Sequence, residues 1–294
     1  RSRRYGCSMP HATTGGAAVI TDVRCIVLGS GTSAGVPAIA CDCPTCTSDD
    51  PRDNRLRTAA AVCWVDPEGQ ERVILIDASP DLRQQVLRAG ITRCDGIFFT
   101  HNHVDHTFGL DEVRRFNVAQ QTPIDLWAEP HTTTHLERVY KHIFQKDENV
   151  NDSFIASVHT HTLTPGEPVE LYGLRVEPLR FMHGNLPILG FRIEAENGPD
   201  WPLPLAWCTD VSEIPDETRP RLVGLEALFL DMLRERRHYT HLSIKGAVAE
   251  AYSIGARRTW FIHMAHEIKH AEVDATLPEG MGLAWDGLTV DWTR

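Results

Sequence analysis

One short segment, residues 100–106, constrains the fold and the chemistry of this chain more than any other. It reads T-H-N-H-V-D-H, and its metal-binding candidates follow the pattern H-x-H-x-D-H, namely His101, His103, Asp105 and His106. Imidazole and carboxylate groups at this spacing are typical of a compact pair of metal sites, and chance rarely produces such an array. The apolar run at residues 97–99 predicts a buried strand directly before it. The array therefore lies just past the carboxyl end of a strand, where layered α/β proteins bind ligands.

Short apolar runs recur along the chain and alternate with a few helical patterns. They predict strands at residues 25–28, 59–65, 73–76, 97–99, 124–127, 174–181, 189–193, 205–208, 227–230 and 259–262. Helices are predicted at residues 79–90, 110–120, 133–144 and 243–254. This pattern favours an α/β (α+β) protein with two sheets covered by helices. We expect one domain over residues 19–294 and a tail over residues 1–18, in which Met9 is a candidate for the native start.

Charge and cysteine usage narrow the class of protein. The net charge of −11 argues against an extended nucleic-acid partner, whose surface needs clustered Lys and Arg, but not against a small anionic substrate bound through metal ions. No apolar stretch approaches the roughly 20 residues of a membrane helix, and the tail lacks the apolar core of a signal peptide. Of the 8 cysteines only three are clustered. This usage predicts a reduced cytoplasmic protein with one metal-binding loop and no disulfide framework.

The remaining ligands of a metal pair are predicted from polar residues that directly follow apolar strands. Two ions held close together need about three protein ligands each and a shared one, so the array must be completed from elsewhere in the chain. Four residues have the required position, namely Asp77, His183, Asp210 and His263. Each is a weak signal alone, but four in order with the array favour a single shared site.

This ordered set of residues resembles the metallo-β-lactamase superfamily over nearly the whole chain from about Val23. The resemblance implies a four-layer αββα metallo-β-lactamase-like sandwich with a dinuclear centre of Mn²⁺ or Zn²⁺ at one edge. It implies one metal held by His101, His103 and His183, a second held by Asp105, His106 and His263, and Asp210 as the bridge. Asp77 is then expected to act from outside the ligand shell, where it orients a ligand by hydrogen bonding.

A second metal motif is the C-x-C-x-x-C sequence of Cys41, Cys43 and Cys46, which we call the cysteine knuckle. It offers three thiolates on one tight loop, and a structural tetrahedral Zn²⁺ needs a fourth ligand. His266, three residues after His263, is the candidate. Zinc bound there would tie the N-terminal loop to the segment that carries a catalytic ligand. Three free thiols in a loop are the alternative interpretation.

Within the superfamily, the cysteine knuckle joined to H-x-x-H resembles the phosphoribosyl cyclic phosphodiesterases of bacterial phosphonate catabolism. That resemblance implies hydrolysis of a small cyclic phosphodiester, such as 5-phosphoribosyl 1,2-cyclic phosphate, by metal-activated hydroxide, and it suggests a homodimer. It also implies a further histidine between the bridging aspartate and the last ligand. His241 has this place and is expected to protonate the leaving oxygen or bind phosphate. His238 is the competing candidate, and a helix-capping role is a third interpretation.

Other functions fit parts of the pattern. The protein associated with pyrroloquinoline quinone biosynthesis also has a C-x-C-x-x-C loop, although the intact histidine array favours a dinuclear hydrolase. Transfer-RNA 3′ processing predicts a basic RNA-binding arm, which the sequence lacks, and lactone or thioester hydrolysis fits the fold alone. A zinc-stabilised interaction module would hold about one metal per chain instead of three. Residues 146–170, which include His159 and His161, resemble an insert, and this stretch and the polar loop at residues 195–204 leave the substrate open.

Overall fold

Two seven-stranded sheets form the centre of the protein. A computed structural model describes residues 19–150, 154–195 and 201–291. The first sheet contains, in spatial order, β14 (Thr289–Asp291), β1 (Thr21–Gly29), β2 (Ala59–Val65), β3 (Glu71–Ile76), β4 (Gly96–Phe98), β5 (Ile124–Ala128) and β6 (Val158–Thr162). The second contains β13 (Met281–Leu283), β12 (Arg258–Ile262), β11 (Ala227–Asp231), β10 (Leu205–Cys208), β9 (Leu186–Glu194), β8 (Leu174–His183) and β7 (Val169–Leu171).

Helices cover the outer face of each sheet. They are α1 (Leu82–Ala89), α2 (Val104–Thr107), α3 (Arg114–Gln120), α4 (Pro130–Val139), α5 (Lys141–Phe144), α6 (Ile244–Ile254) and α7 (His270–Asp274). Side chains of α1, α3, α4 and α5 pack on the first sheet, and those of α6 and α7 pack on the second. No helix among the described residues is both long and apolar enough to cross a membrane.

A large apolar core holds the two sheets face to face. Aromatic side chains from both sheets meet there, among them Trp64, Phe98, Phe191, Trp207 and Phe229. Each strand that faces this core on one side and helices on the other is buried on both faces, so it reads as an unbroken apolar run in the sequence. The helix layers and the two sheets together form the predicted four-layer αββα sandwich, which is confirmed.

Parallel strands bring their carboxyl ends to one edge of the sandwich. In the first sheet β3, β4, β5 and β6 are parallel. In the second, β10, β11, β12 and β13 are parallel, and β8 has the same direction because β9 is antiparallel to both β8 and β10. Residues that follow these strands are therefore neighbours in space although they are far apart in sequence.

The predicted helices occur with shifted boundaries. The segment predicted as one helix over residues 133–144 begins earlier, at Pro130, because proline is favoured in the first turn of a helix. It is divided into α4 and α5 at Tyr140, which has φ −105° and ψ 43° and so leaves the helical region. The segment predicted over residues 110–120 begins with a 3-10 turn at Leu110–Val113 before α3.

The stretch that resembles an insert, residues 146–170, contributes a strand to the first sheet. β6 pairs in parallel with β5, and the Nε2 of His161 lies 2.8 Å from Oδ1 of Asp125. His159 lies on the same exposed strand. The predicted tail at residues 1–18 lies outside the described residues, as do residues 196–200 of the polar loop predicted at residues 195–204.

Candidate metal centre

The histidine array forms the turn and the short helix that follow β4. His101 is fully buried, whereas His103 is more exposed and precedes α2, whose first turn carries Asp105 and His106. The main chain here is held by hydrogen bonds from His106 N to the His103 carbonyl and from Thr107 Oγ1 to the same carbonyl. The turn thus directs all four polar side chains of the array to one side of the sheet edge.

Residues from both sheets complete two groups of donors around the array. In each group the donor atoms all lie within 4.8 Å of one another. The first group consists of His101, His103, His183 and Asp210, and the second of Asp105, His106, Asp210 and His263. Asp210 is common to both groups. The structure therefore brings together all seven residues that the sequence predicted for the dinuclear site.

The spacing of the donors around Asp210 fits metal binding. Bonds of about 2.0–2.1 Å at tetrahedral angles place two ligand atoms roughly 3.3 Å apart. Oδ1 of Asp210 lies 3.3 Å from Nε2 of His106, and Oδ2 lies 3.4 Å from Nε2 of His263 and 4.0 Å from Nε2 of His101. These three Nε2 atoms are buried, and none makes a hydrogen bond within the described part of the chain. Buried donors without a partner are costly unless an ion satisfies them.

Hydrogen bonds at Nδ1 orient several of these imidazoles. Nδ1 of His106 lies 2.7 Å from Oδ2 of Asp77, and Nδ1 of His183 lies 2.8 Å from the Thr240 carbonyl. Asp77 is itself held by the backbone N–H of Thr100, which donates to Oδ1 over 2.8 Å. Such contacts fix the ring so that Nε2 points into the site. Asp77 therefore has the position expected of a residue that orients His106 from outside the ligand groups.

Three of the strand-end residues share an uncommon backbone conformation. Asp77, Asp210 and His263 have φ of 65°, 60° and 61°, in the left-handed region that residues other than glycine rarely adopt. Asp77 and His263 directly follow the last residues of β3 and β12, and Asp210 lies two residues after the end of β10. Strain of this kind persists where the surrounding structure enforces it, and it clusters at functional sites.

Burial and neighbouring charges hold most of the predicted ligands in the protonation state that metal binding requires. Burial lowers the pKa of His101, His103 and His183, so these imidazoles are neutral near pH 7 and offer a lone pair. Burial works against ionisation of Asp210, but His263 and His106 outweigh it and hold the pKa of Asp210 well below its usual value. For His106, the effect of burial is exceeded by the neighbouring carboxylates, which raise its pKa. A cation at that position must therefore displace a proton.

The structure distinguishes His241 from His238. The His241 ring stacks on His263 with centroids 4.7 Å apart and lies 4.7 Å from the His183 ring. His238 lies farther out and accepts from the backbone N–H of Thr240 over 3.3 Å. Of the two candidates, only His241 is in direct contact with predicted metal ligands.

Asp231 is a site residue that sequence reasoning missed. It is the last residue of β11, fully buried, with Oδ1 2.9 Å from Nδ1 of His241 and Oδ2 accepting from Leu242 N over 2.9 Å. Its Oδ1 also lies 3.7 Å from Nδ1 of His263. Burial disfavours the charged form of His241, yet Asp231 outweighs this effect and raises the pKa of His241. The signal was present, because Asp231 directly follows the apolar run 227–230, as Asp77 follows the run 73–76.

The cysteine knuckle and His266 form a third group of donors. Nδ1 of His266 lies 3.1 Å from Sγ of Cys41, 3.5 Å from Sγ of Cys43 and 3.6 Å from Sγ of Cys46. A tetrahedral Zn²⁺ with bonds of about 2.3 Å to sulfur and 2.0–2.1 Å to nitrogen places these atoms roughly 3.6 Å apart. Three sulfur donors and one imidazole nitrogen at this spacing fit a closed structural zinc site.

A buried arginine joins the knuckle region to the segment of His263. Arg55 is 1% exposed and donates to the carbonyls of Ala265 and Ile268 over 3.0 and 2.6 Å. Its Nη2 also forms an ion pair with Asp53 Oδ1 at 3.0 Å, with both side chains fully enclosed. The N-terminal loop and the segment after β12 are therefore attached to each other independently of any metal.

Replacing Arg55 by methionine is expected to lower the free energy of unfolding by about 3–5 kcal/mol, because it leaves the Asp53 carboxylate buried without its ion-pair partner. Denaturant unfolding monitored by circular dichroism measures this change. The matched control is Arg52→Met, which removes an exposed ion pair to Asp50 in the same loop and is expected to cost at most about 1 kcal/mol. Equal losses in the two variants would contradict the anchoring role of Arg55.

Comparison with known proteins adds independent evidence. A family model described as a beta-lactamase superfamily domain matches residues 72–264. A crystal structure of a diphosphatase from the PhnP family is similar at 38% identity with a TM-score of 0.81, covering 93% of this chain and 98% of that one. Zinc-bound PqqB from Methylobacterium extorquens, at 22% identity and a TM-score of 0.72, covers 91% and 99% of the two chains and indicates the fold alone.

Curated relatives carry two different names. An octanoyltransferase of Porphyromonas gingivalis is 35% identical over 90% of this chain, but the chain spans only 51% of that protein's length. A coenzyme PQQ synthesis protein B of a Methylobacterium species is 25% identical over 91% of this chain and 99% of its own length. These names differ in chemistry, so the relatives alone leave the substrate open.

Proposed function

The chain belongs to the beta-lactamase superfamily as a metal-dependent hydrolase of the metallo-β-lactamase fold, and on this premise we propose that it is a dinuclear phosphodiesterase. Its substrate in this proposal is a small cyclic phosphodiester such as 5-phosphoribosyl 1,2-cyclic phosphate. The 38% identity to a PhnP-family diphosphatase over 93% of the chain supports phosphate chemistry. The cysteine knuckle supports the same branch of the superfamily.

One observation carries the proposal: the two groups of donors share Asp210. A carboxylate common to both groups can bridge two ions, for which we propose Mn²⁺ or Zn²⁺, with a separate structural Zn²⁺ in the cysteine knuckle. Two divalent cations in such a pair supply an activated water nucleophile and stabilise the charge that develops on phosphate oxygens. His101, His103 and His183 would hold one cation, and Asp105, His106 and His263 the other.

In this proposal, side chains next to the donor groups orient the metal ligands and transfer a proton to the substrate. Asp77 holds Nδ1 of His106, which keeps the ring in the orientation that presents Nε2 to the site. His241 lies beside His183 and His263, and Asp231 holds its Nδ1, so its Nε2 is left to act on substrate. We assign His241 as the general acid that protonates the leaving oxygen, with Asp231 as its positioning residue.

Replacing His241 by alanine is expected to reduce kcat by about 10²–10⁴-fold on a substrate with an alkoxide leaving group, the range typical of a lost general acid. The loss is expected to be much smaller for a p-nitrophenyl ester, whose leaving group needs no proton. Steady-state kinetics on both substrates tests this assignment. Equal losses on the two substrates would instead place His241 in phosphate binding, and Asp231→Asn provides a milder variant that retains the imidazole.

A role in pyrroloquinoline quinone maturation is the second candidate function. A relative named coenzyme PQQ synthesis protein B matches this chain over 91% of its length and 99% of its own. The two complete donor groups around Asp210 favour the hydrolase. Thioester or lactone hydrolysis, and RNA 3′ processing, have no comparable support from the site, and the octanoyltransferase relative is about twice as long as the matching region.

The test of the proposed function is the initial rate of metal-loaded protein on three substrates. These are 5-phosphoribosyl 1,2-cyclic phosphate, bis-p-nitrophenyl phosphate and a simple lactone. Rapid cleavage of the cyclic sugar phosphate is the expected result. Cleavage of the simple diester alone would retain the phosphodiesterase and exclude this substrate, and turnover of the lactone alone would overturn the phosphate chemistry.

A further inference from the structure

The loop at residues 235–241 lies beside the candidate metal centre, and main-chain hydrogen bonds join its two ends, which we call its base. At that base, Leu233 N donates to the Leu242 carbonyl over 3.0 Å, and Ile244 N donates to the Arg234 carbonyl over 3.0 Å. Arg234 and Ser243 also form an isolated parallel bridge. The base is therefore held by main-chain hydrogen bonds, whereas residues 235–237 and Tyr239 between its ends are exposed.

The inner part of this loop contacts the metal centre directly. The Thr240 carbonyl accepts from Nδ1 of His183 over 2.8 Å, and His241 stacks on His263. The Tyr239 ring, 67% exposed, lies against Gly184, the residue after His183, so closely that an added Cβ would approach it to 2.8 Å. The loop is thus a wall of the site, and an exposed aromatic ring forms its upper edge.

The outer part of the loop carries positive charge without ion-pair partners. Arg236 and Arg237 are exposed, and neither forms an ion pair with any described residue, including Glu235 next to them. Their positive charge is opposite in sign to the net charge of the chain, which is −11. Arg237 is four residues from His241, which limits the main-chain path to about 14 Å.

We propose that Arg236 and Arg237 form an anion subsite that binds a second phosphate of the substrate, remote from the phosphodiester cleaved at the metal centre. This proposal rests on the proposed function and extends it. The guanidinium group matches the geometry of phosphate oxygens and keeps its charge at any working pH. In this arrangement Tyr239 covers the sugar between the two phosphates. The preferred substrate is then a phosphorylated cyclic sugar phosphate, and the unphosphorylated analogue is a poor one.

The first test compares two substrates that differ only in the remote phosphate, 5-phosphoribosyl 1,2-cyclic phosphate and ribose 1,2-cyclic phosphate. Wild-type protein is expected to prefer the first in kcat/KM, and the double variant R236Q/R237Q is expected to reduce that preference by about ten-fold or more through KM. The control is Arg24→Gln. Arg24 lies near the start of β1, which has the same direction as β3, so it is at the end of the sheet opposite the site. An unchanged preference in the double variant would overturn the subsite.

The second test measures binding without turnover, by calorimetric titration of metal-loaded protein with ribose 5-phosphate. The expected result is a loss of affinity of about ten-fold or more in R236Q/R237Q and none in Arg24→Gln. The same titration in Asp210→Ala, which disrupts the metal centre, measures the part of the affinity that comes from the loop. If no phosphodiester is hydrolysed but this arginine-dependent binding persists, the proposed function fails and the anion subsite stands. If diesters are hydrolysed and binding ignores both arginines, the subsite fails alone.

Discussion

Replacing Asp210 by alanine is expected to abolish phosphodiester hydrolysis, with a loss in kcat/KM of at least about 10³-fold, equivalent to roughly 4 kcal/mol of transition-state stabilisation. The reason is geometric. Asp210 is the one residue common to both donor groups, and its oxygens lie 3.3 Å from Nε2 of His106 in one group and 4.0 Å from Nε2 of His101 in the other. Without it, two bound cations would lose the shared ligand and the negative charge that offsets their mutual repulsion.

Metal content is a second readout of the Asp210→Ala substitution, beside the kinetics. Mass spectrometry of the purified protein is expected to give about three metal ions per wild-type chain, and at least one fewer in Asp210→Ala, because each catalytic ion needs about three protein ligands. Asp210→Asn is the matched variant, since asparagine tolerates the left-handed backbone at this position better than alanine does. Near wild-type rates in both variants, with circular dichroism unchanged, would exclude Asp210 as the bridge.

Replacing Cys43 by serine is expected to release one zinc per chain and to lower the thermal midpoint by about 10 °C or more, because the binding energy of a structural zinc is part of the folding energy. Cys43 is one of four donors, and a hydroxyl in its place is a poor zinc ligand. The loop already favours the thiolate form of Cys43, because the backbone N–H of Cys46 donates a hydrogen bond that lowers the pKa of Cys43 to about 6. Zinc content and differential scanning calorimetry measure the two effects.

The control for this experiment is Cys63→Ser, which alters a buried cysteine of β2 that lies outside the knuckle. It is expected to keep the full zinc content whatever it does to stability. The fold itself is expected to survive in Cys43→Ser, because Arg55 and the hydrogen bonds of Ser30 and Thr32 to Met264 still attach the loop. Unchanged zinc in Cys43→Ser would mean that the knuckle is a set of free thiols.

The strands that the sequence pattern did not predict share one property. β14 and β6 are the outer strands of the first sheet, and β13 and β7 are those of the second. Each has three to five residues, and β6 reads V-H-T-H-T with its last four side chains exposed. An apolar run is a reliable signal only for a strand buried on both faces, so short edge strands lack it.

The site residues likewise divide into those that the local sequence pattern predicted and those that it did not. Asp77 and His263 could be predicted because each directly follows an apolar strand, Asp210 because it lies one residue beyond such a strand, and the histidine array because its spacing is distinctive. Asp231 obeys the same strand-end rule but was missed, since nothing in the local sequence shows that its partner is His241. For the same reason the sequence favoured His241 but left His238 as a competing candidate, and the stacking of His241 on His263 supports the first choice.

By itself, the sequence determined which residue types are available and at which strand ends they stand, because strand burial and metal-ligand chemistry both leave local patterns. Only the tertiary structure decided how these residues are grouped. His183 and Asp210 come from the second sheet and His101 from the first, so their grouping depends on two sheets packing with their carboxyl edges together. That packing is produced by a core of apolar side chains from both sheets, such as Trp207 and Phe98, and the ligand motif does not encode it.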